Sequence, residues 1–164
     1  MSDQDPREPD AGPAADIASM EGRLELSAPA DPETMELVHA LLESLWVAHP
    51  DVLDVDRFRF ETAVIEILAN IVEHAYQLEP VDGERSPRRF EIGVAANADC
   101  LVATLGDNGL PMALDLSDVA MPEDDLAESG RGLALAVAAL DDLHYERVGG
   151  RNQWTLLCRR AASA

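Results

Sequence analysis

The chain has 164 residues, 47% of them hydrophobic, which is the length of one ordinary domain with enough apolar side chain for a real core. Its 32 acidic residues against 12 basic ones give a formal net charge of -20, so most of the surface repels nucleic-acid phosphate and anionic membranes, and neither is an expected partner. No apolar run approaches the roughly 20 residues of a membrane span, and the amino terminus is acidic where a secretory signal is basic and then apolar; the expectation is a soluble, cytoplasmic protein.

Residues 1–20 are rich in Asp, Pro, Ala and Ser, a composition that cannot repay its ordering entropy, and read as an acidic disordered tail ahead of a single domain over 21–164. "RLELSA" alternates as a half-buried strand, and "DPETMELVHALLESLWVA" opens as a helix with Asp31 at the N-cap and Pro32 at N1. That helix breaks near His49-Pro50. A longer one follows in "VDRFRFETAVIEILANIVEHAYQL", where Phe60, Val64, Ile67, Leu68, Ile71, Val72 and Ala75 keep helical spacing. After a turn-rich stretch, two apolar runs flank "ANAD" as an antiparallel hairpin, and the second ends in "DNGLP", residues 107–111. An acidic segment leads to "SGRGLALAVAAL", glycines opening a short helix. Two closing strands, "LHYERV" and "NQWTLLCRR", are joined by Gly149-Gly150. Helices early and strands late predict an α+β fold, a two-layer sandwich in which a mixed, mostly antiparallel sheet is covered on one face by helices. Cys100 and Cys158 lie in strand-like runs without metal-type spacing and read as buried reduced thiols.

Three short patterns bear chemistry. Glu66, Asn70 and His74 stand at i, i+4 and i+8, and each step advances about 40° around a helix, so they form an oblique polar stripe climbing toward the apolar face. On their own they are equally a solvated glutamate, a boundary asparagine and a satisfied core histidine. Asp107-x-Gly109-x-Pro111 sets a carboxylate at a strand end, where it can accept from an exocyclic amine, and a glycine beside it lets a planar ring approach; the same letters also make a plain turn. Ser129-Gly130-Arg131-Gly132 opens a helix, exposing unpaired N–H groups and the positive dipole end that suit phosphate, with Arg131 available for a charge-assisted bond. An ordinary tightly packed loop-to-helix junction uses glycines in the same way.

The order Glu66-x-x-x-Asn70-x-x-x-His74-Ala75-Tyr76, then Asp107-x-Gly109-x-Pro111, then Gly130-Arg131-Gly132-Leu133 resembles the N, G1 and G2 boxes of the Bergerat-fold (GHKL) nucleotide-binding superfamily. Within it, the short chain and the carboxylate four residues before the asparagine are similar to the bacterial anti-sigma factor serine/threonine kinases of the general-stress and sporulation type. The resemblance spans residues 22–160. It implies ATP and Mg²⁺ as cofactors, with Asn70 giving an oxygen to the metal, Asp107 bonding the adenine amine and Gly109 and Pro111 shaping the base pocket. Gly130, Arg131, Gly132 and Leu133 match the phosphate loop, and Glu66 matches the proposed general base. His74 matches a position typical of the family, and its place nearest the core suits a structural role.

The implied partners are an anti-anti-sigma (STAS) protein as phosphorylation substrate and a sigma factor held inactive, with a homodimer as the common assembly. A non-catalytic regulator of the same fold, in which nucleotide only sets the shape partners recognise, is the alternative. The acidic stretch Asp115, Asp118, Glu123, Asp124, Asp125 and Glu128 falls where the family carries its ATP lid; acids beside a triphosphate repel it, so either the lid points outward or these groups meet a basic partner.

Overall fold

The computed structural model describes residues 17–76, 87–112, 115–119 and 130–162, so the expected tail up to residue 16, Ser129 and most of the acidic stretch lie outside the described residues. Strand β1 (Leu24–Pro29) turns Leu24, Leu26 and Ala28 to one face and Glu25 and Ser27 to the other. Asp31 then caps as expected: its side chain accepts from Thr34 N at 3.1 Å across a 3-10 turn that continues into α1 (Met35–Ala48). Helix α1 buries Val38, Leu42, Leu45 and Trp46, so its apolar stripe is used in the core, and only Leu37 and Val47 remain as large exposed apolar groups on it. It stops at His49, whose N–H donates to Leu45 O at 2.9 Å just before Pro50.

Helix α2 (Asp54–Tyr76) buries Phe60, Ala63, Val64, Ile67, Leu68, Ile71 and Val72 against the sheet. Trp46 closes the α1–α2 corner, edge-on to Phe60 with centroids 6.1 Å apart, while its indole N–H donates to Glu61. Strands β2 (Arg89–Ala96) and β3 (Cys100–Asp107) form the expected hairpin, its turn fixed by Asn97 Oδ1 accepting from Asp99 N and Cys100 N, both at 2.8 Å. Helix α3 (Arg131–Ala139) leads to β4 (Asp142–Val148) and β5 (Arg151–Arg159), joined through Gly149 and Gly150 at φ of 58° and 79°, the left-handed pair that a two-residue hairpin turn requires.

The five strands run β1-β2-β3-β5-β4, and every pairing is antiparallel. This is the expected α+β sandwich, antiparallel throughout among the described residues where a mixed sheet was allowed. Register carries one face across all strands: Leu26, Ile92, Leu105, Trp154 and Tyr145 stand in one row beneath the helices. The opposite face is polar or small, with Glu25, Gly93, Thr104, Thr155 and His144 in one row. One end of it carries Ala95 and Val102, covered by Ile17, which is 3% exposed and sits in a helical turn over 17–19. Met20 packs beside it, so Ile17 and Met20, which fall within the expected tail, cover surface the sheet would otherwise expose. Burial also pushes the Cys158 thiol up to about 11.

A polar cluster ties α2 to the end of the sheet. Arg59 donates from Nε to Ala139 O at 3.1 Å and from a terminal nitrogen to Asp141 Oδ2 at 3.2 Å, and it faces Asp56 Oδ1 at 3.4 Å. Asp56 is 1% exposed, and its other oxygen accepts from Ala161 N at 2.8 Å. Arg59→Ala leaves that carboxylate buried with its cation gone, and the expected loss is about 2 kcal/mol of stability, discounted for the partly exposed guanidinium. A lowered urea midpoint with unchanged slope checks it.

Candidate functional site

The three patterns, distant in sequence, meet along α2. Eight residues separate Glu66 from His74, about 12 Å of helix. At the Glu66 end lies the start of α3: a Cβ built on Gly132 would fall inside the Glu66 carboxylate, so the two elements touch there only because residue 132 has no side chain. At the His74 end lies the loop after β3: a Cβ on Gly109 would sit 2.7 Å from Asp107 Oδ1 and 3.8 Å from His74 Cδ2. Glu66 has no hydrogen bond or ion pair among the described residues. Asn70 Nδ2 and His74 Nε2 are buried and unpartnered, two polar atoms on one helix face that native interiors seldom leave unsatisfied.

Asp107 is 5% exposed and enters the site as the last residue of β3. Its Oδ1 accepts from Gly109 N at 2.8 Å and from Asn152 Nδ2 at 2.9 Å, whereas Oδ2 accepts nothing among the described residues. The loop beyond it is tied on two sides. Just ahead of β2, Arg88 donates to Asn108 O at 2.8 Å, and Asn108 Oδ1 accepts from Arg89 N, the first residue of that strand, at 3.0 Å. From the β4–β5 hairpin, Arg147 donates to Gly109 O at 2.9 Å, Asn152 Nδ2 to Leu110 O at 2.8 Å, and Met112 N donates to Tyr145 OH at 2.9 Å. Pro111 is exposed at the edge of this loop.

Sequence reasoning missed Tyr145, Arg147 and Asn152. A signal existed: Arg147 and Asn152 occupy the inward phase of strands whose other inward residues are Leu143, Trp154 and Leu156, next to the Gly149-Gly150 turn. Two polar residues in core phase at one end of a hairpin ask for partners across the sheet.

Helix α3 begins at Gly130, whose φ of 85° favours glycine, with no side-chain cap. Its first intrahelical bond runs from Ala134 N to Gly130 O at 3.2 Å, so the amides of Arg131, Gly132 and Leu133 come before the ladder and face the end that favours anions. Leu133 and Ala136 anchor this end in the core. Of the acidic stretch, Asp115 caps a 3-10 turn over Leu116–Asp118 and is exposed, as is Asp118. A separate groove of about 600 Å³ lies on the opposite sheet face between Ile17, Glu25, Gly93, Thr104, Arg151 and Thr155, and neither Glu66, Asn70, His74, Asp107 nor Gly132 lines it. Its flanking charges are paired with each other, Arg151 with Glu91 and Arg23 with Glu25, so the cluster of polar residues along α2 is the stronger candidate.

Among solved structures, the RsbU and RsbW domains of Rv1364c from Mycobacterium tuberculosis match with a TM-score of 0.59 at 21% identity, over 87% of this chain and 33% of that one. The chain thus spans about a third of that structure's length. The histidine kinase AdeS of Acinetobacter baumannii overlaps with a TM-score of 0.41 at 19% identity, over 83% of this chain and 67% of that one. No curated protein matches. No helix among the described residues is long and apolar enough to cross a membrane. Residues 28–158 match the histidine kinase-like ATPase domain, and the chain belongs to that family.

Proposed function

We propose that the chain binds ATP with Mg²⁺ along α2, phosphorylates a serine or threonine of an anti-anti-sigma (STAS) protein, and otherwise holds a sigma factor inactive, working as a homodimer. The observation that carries this reading is Glu66: a carboxylate without a described partner, pressed against the first turn of α3 and one helical turn from Asn70. The residues fit the nucleotide and its metal. Asn70 Nδ2 and His74 Nε2, buried and unpartnered, await polar neighbours, and with no bond holding that nitrogen the Asn70 amide is able to turn its oxygen to the metal; Gly109 and Gly132 let Asp107 and Glu66 stand where a Cβ would displace them.

In this reading Asp107 Oδ2 accepts from the adenine amine, Gly109 and Pro111 border the base, and Asn70 gives a neutral oxygen to Mg²⁺, a hard ion that keeps several waters. Gly130, Arg131, Gly132 and Leu133 hold phosphate through backbone N–H groups and the guanidinium. Bound Mg·ATP supplies the γ-phosphoryl group. Glu66 takes the proton from the incoming hydroxyl, and His74 packs beside Gly109 as support for the base pocket. The RsbW domain named for the solved neighbour supports the reading through the fold.

The test is phosphotransfer from labelled Mg·ATP to a STAS protein. Glu66→Ala is expected to lower the rate at least about a hundredfold, the usual contribution of a general base, with Mg·ATP affinity kept. Transfer that persists unchanged in the variant removes Glu66 from the chemistry. Tight ATP binding without transfer to any STAS protein selects the non-catalytic regulator.

A further inference from the structure

We infer that Asn152 is a specificity-determining residue that restricts the site to bases offering a single amine, adenine over guanine, with Arg147 and Tyr145 as its positioning residues. The inference rests on the nucleotide reading above. Asn152 is 1% exposed and stands in register opposite Asp107 on one side and Arg147 on the other. All its bonding capacity is spent. Nδ2 donates to Asp107 Oδ1 at 2.9 Å and Leu110 O at 2.8 Å; Oδ1 accepts from Tyr145 OH and from an Arg147 guanidinium nitrogen, both at 2.8 Å. A guanidinium only donates, so the amide oxygen must face Arg147 and the amide nitrogen must face Asp107. Tyr145 reinforces this sense, because its hydroxyl accepts from Met112 N and gives its proton to Asn152.

The consequence falls on the carboxylate. Gly109 N and Asn152 Nδ2 together use both lone pairs of Asp107 Oδ1, and Oδ2 alone remains for a ligand. One free oxygen suffices for an adenine amine. Guanine presents N1–H and N2–H side by side and asks for both oxygens of a carboxylate, and in the adenine pose its carbonyl oxygen would face Oδ2, acceptor against acceptor. With Asn152 gone, Oδ1 recovers a lone pair and the carboxylate becomes a two-oxygen acceptor.

The experiment measures dissociation constants for Mg·ATP and Mg·GTP, by competition with a labelled ATP, on the wild type, Asn152→Ala and the double variant Arg147→Met/Tyr145→Phe. The double variant keeps the asparagine but removes both donors that orient it, and Arg147 is an exposed residue. Circular dichroism and thermal unfolding verify the fold of each. The expected result is a fall of about tenfold in the preference for ATP over GTP in Asn152→Ala and a similar fall in the double variant; should Asn152→Ala not fold, the double variant decides. Folded variants that bind ATP with an unchanged ratio overturn the inference and leave the nucleotide reading standing, since a purely structural tie would alter stability and not selectivity. A wild type that binds neither nucleotide overturns the nucleotide reading itself.

Discussion

Asp107→Asn is expected to weaken Mg·ATP by about a hundredfold or more while leaving the fold intact. Two fixed donors, Gly109 N and Asn152 Nδ2, converge on one oxygen of residue 107. An asparagine there must turn its carbonyl oxygen to them, and its NH₂ then occupies the corner that Oδ2 held. Donor meets donor where the adenine amine should bind. A lost hydrogen bond to a charged group is worth about 1.5–3 kcal/mol and an unpaired donor adds to it, so a loss of about 3 kcal/mol, or more than a hundredfold in affinity, follows. The loop ties survive because the carbonyl oxygen still accepts from both donors. Thermal unfolding checks it: at 100 times the wild-type dissociation constant, Mg·ATP adds about 2.7 kcal/mol to a native state that alone binds it, and at that concentration the variant gains almost nothing. Equal stabilisation of both proteins would remove Asp107 from the base site.

Gly132→Ala is expected to leave stability nearly unchanged and to impair phosphotransfer. The new Cβ meets the carboxylate of Glu66, the far end of a flexible side chain that can swing away, with Glu66 Cδ the next atom at 3.3 Å. Alanine also improves on glycine inside a helix by up to about 1 kcal/mol, which offsets the adjustment. Glu66 must leave its place beside the start of α3, and the misplacement of a base by about 1 Å can cost about a hundredfold in rate. The measurement pairs a urea melt with single-turnover transfer to a STAS protein. A stable Gly132→Ala variant with wild-type transfer would separate the Glu66 position from the reaction. The contrasting variant is Gly109→Ala, whose Cβ would press 2.7 Å from an Asp107 oxygen pinned by two donors, and there nucleotide affinity is the property expected to fall.

Much of the fold was legible because its cues are local. Asp31-Pro32 before a 3.6-residue apolar pattern, Asn97 in a four-residue turn and the Gly149-Gly150 pair each act within a few residues, and α1, the β2–β3 hairpin and the β4–β5 hairpin lie where those cues put them. The spacing of Glu66, Asn70 and His74 likewise needs only a helix to become one face. What stayed hidden depends on register and on packing between distant segments. Nothing near Asn152 says that it stands opposite Asp107, 45 residues away, and only that pairing turns a polar residue in core phase into the partner of a binding carboxylate. The meeting of Glu66 with Gly132 arises from how α3 lies on α2, which no single window contains. Ile17 was hidden for a different reason: one apolar residue in an acidic stretch acquires meaning only when Ala95 and Val102 are found on the sheet face it covers.

Calorimetric titration of the wild-type chain with Mg·ATP tests most directly whether α2, the loop after β3 and the start of α3 form one nucleotide site. The expected result is one nucleotide bound per chain with a dissociation constant below about 1 mM, equivalent to at least about 4.1 kcal/mol, and no detectable heat when Asp107→Asn replaces the wild type. Absence of binding by the wild type, or unaltered binding by the variant, would contradict it.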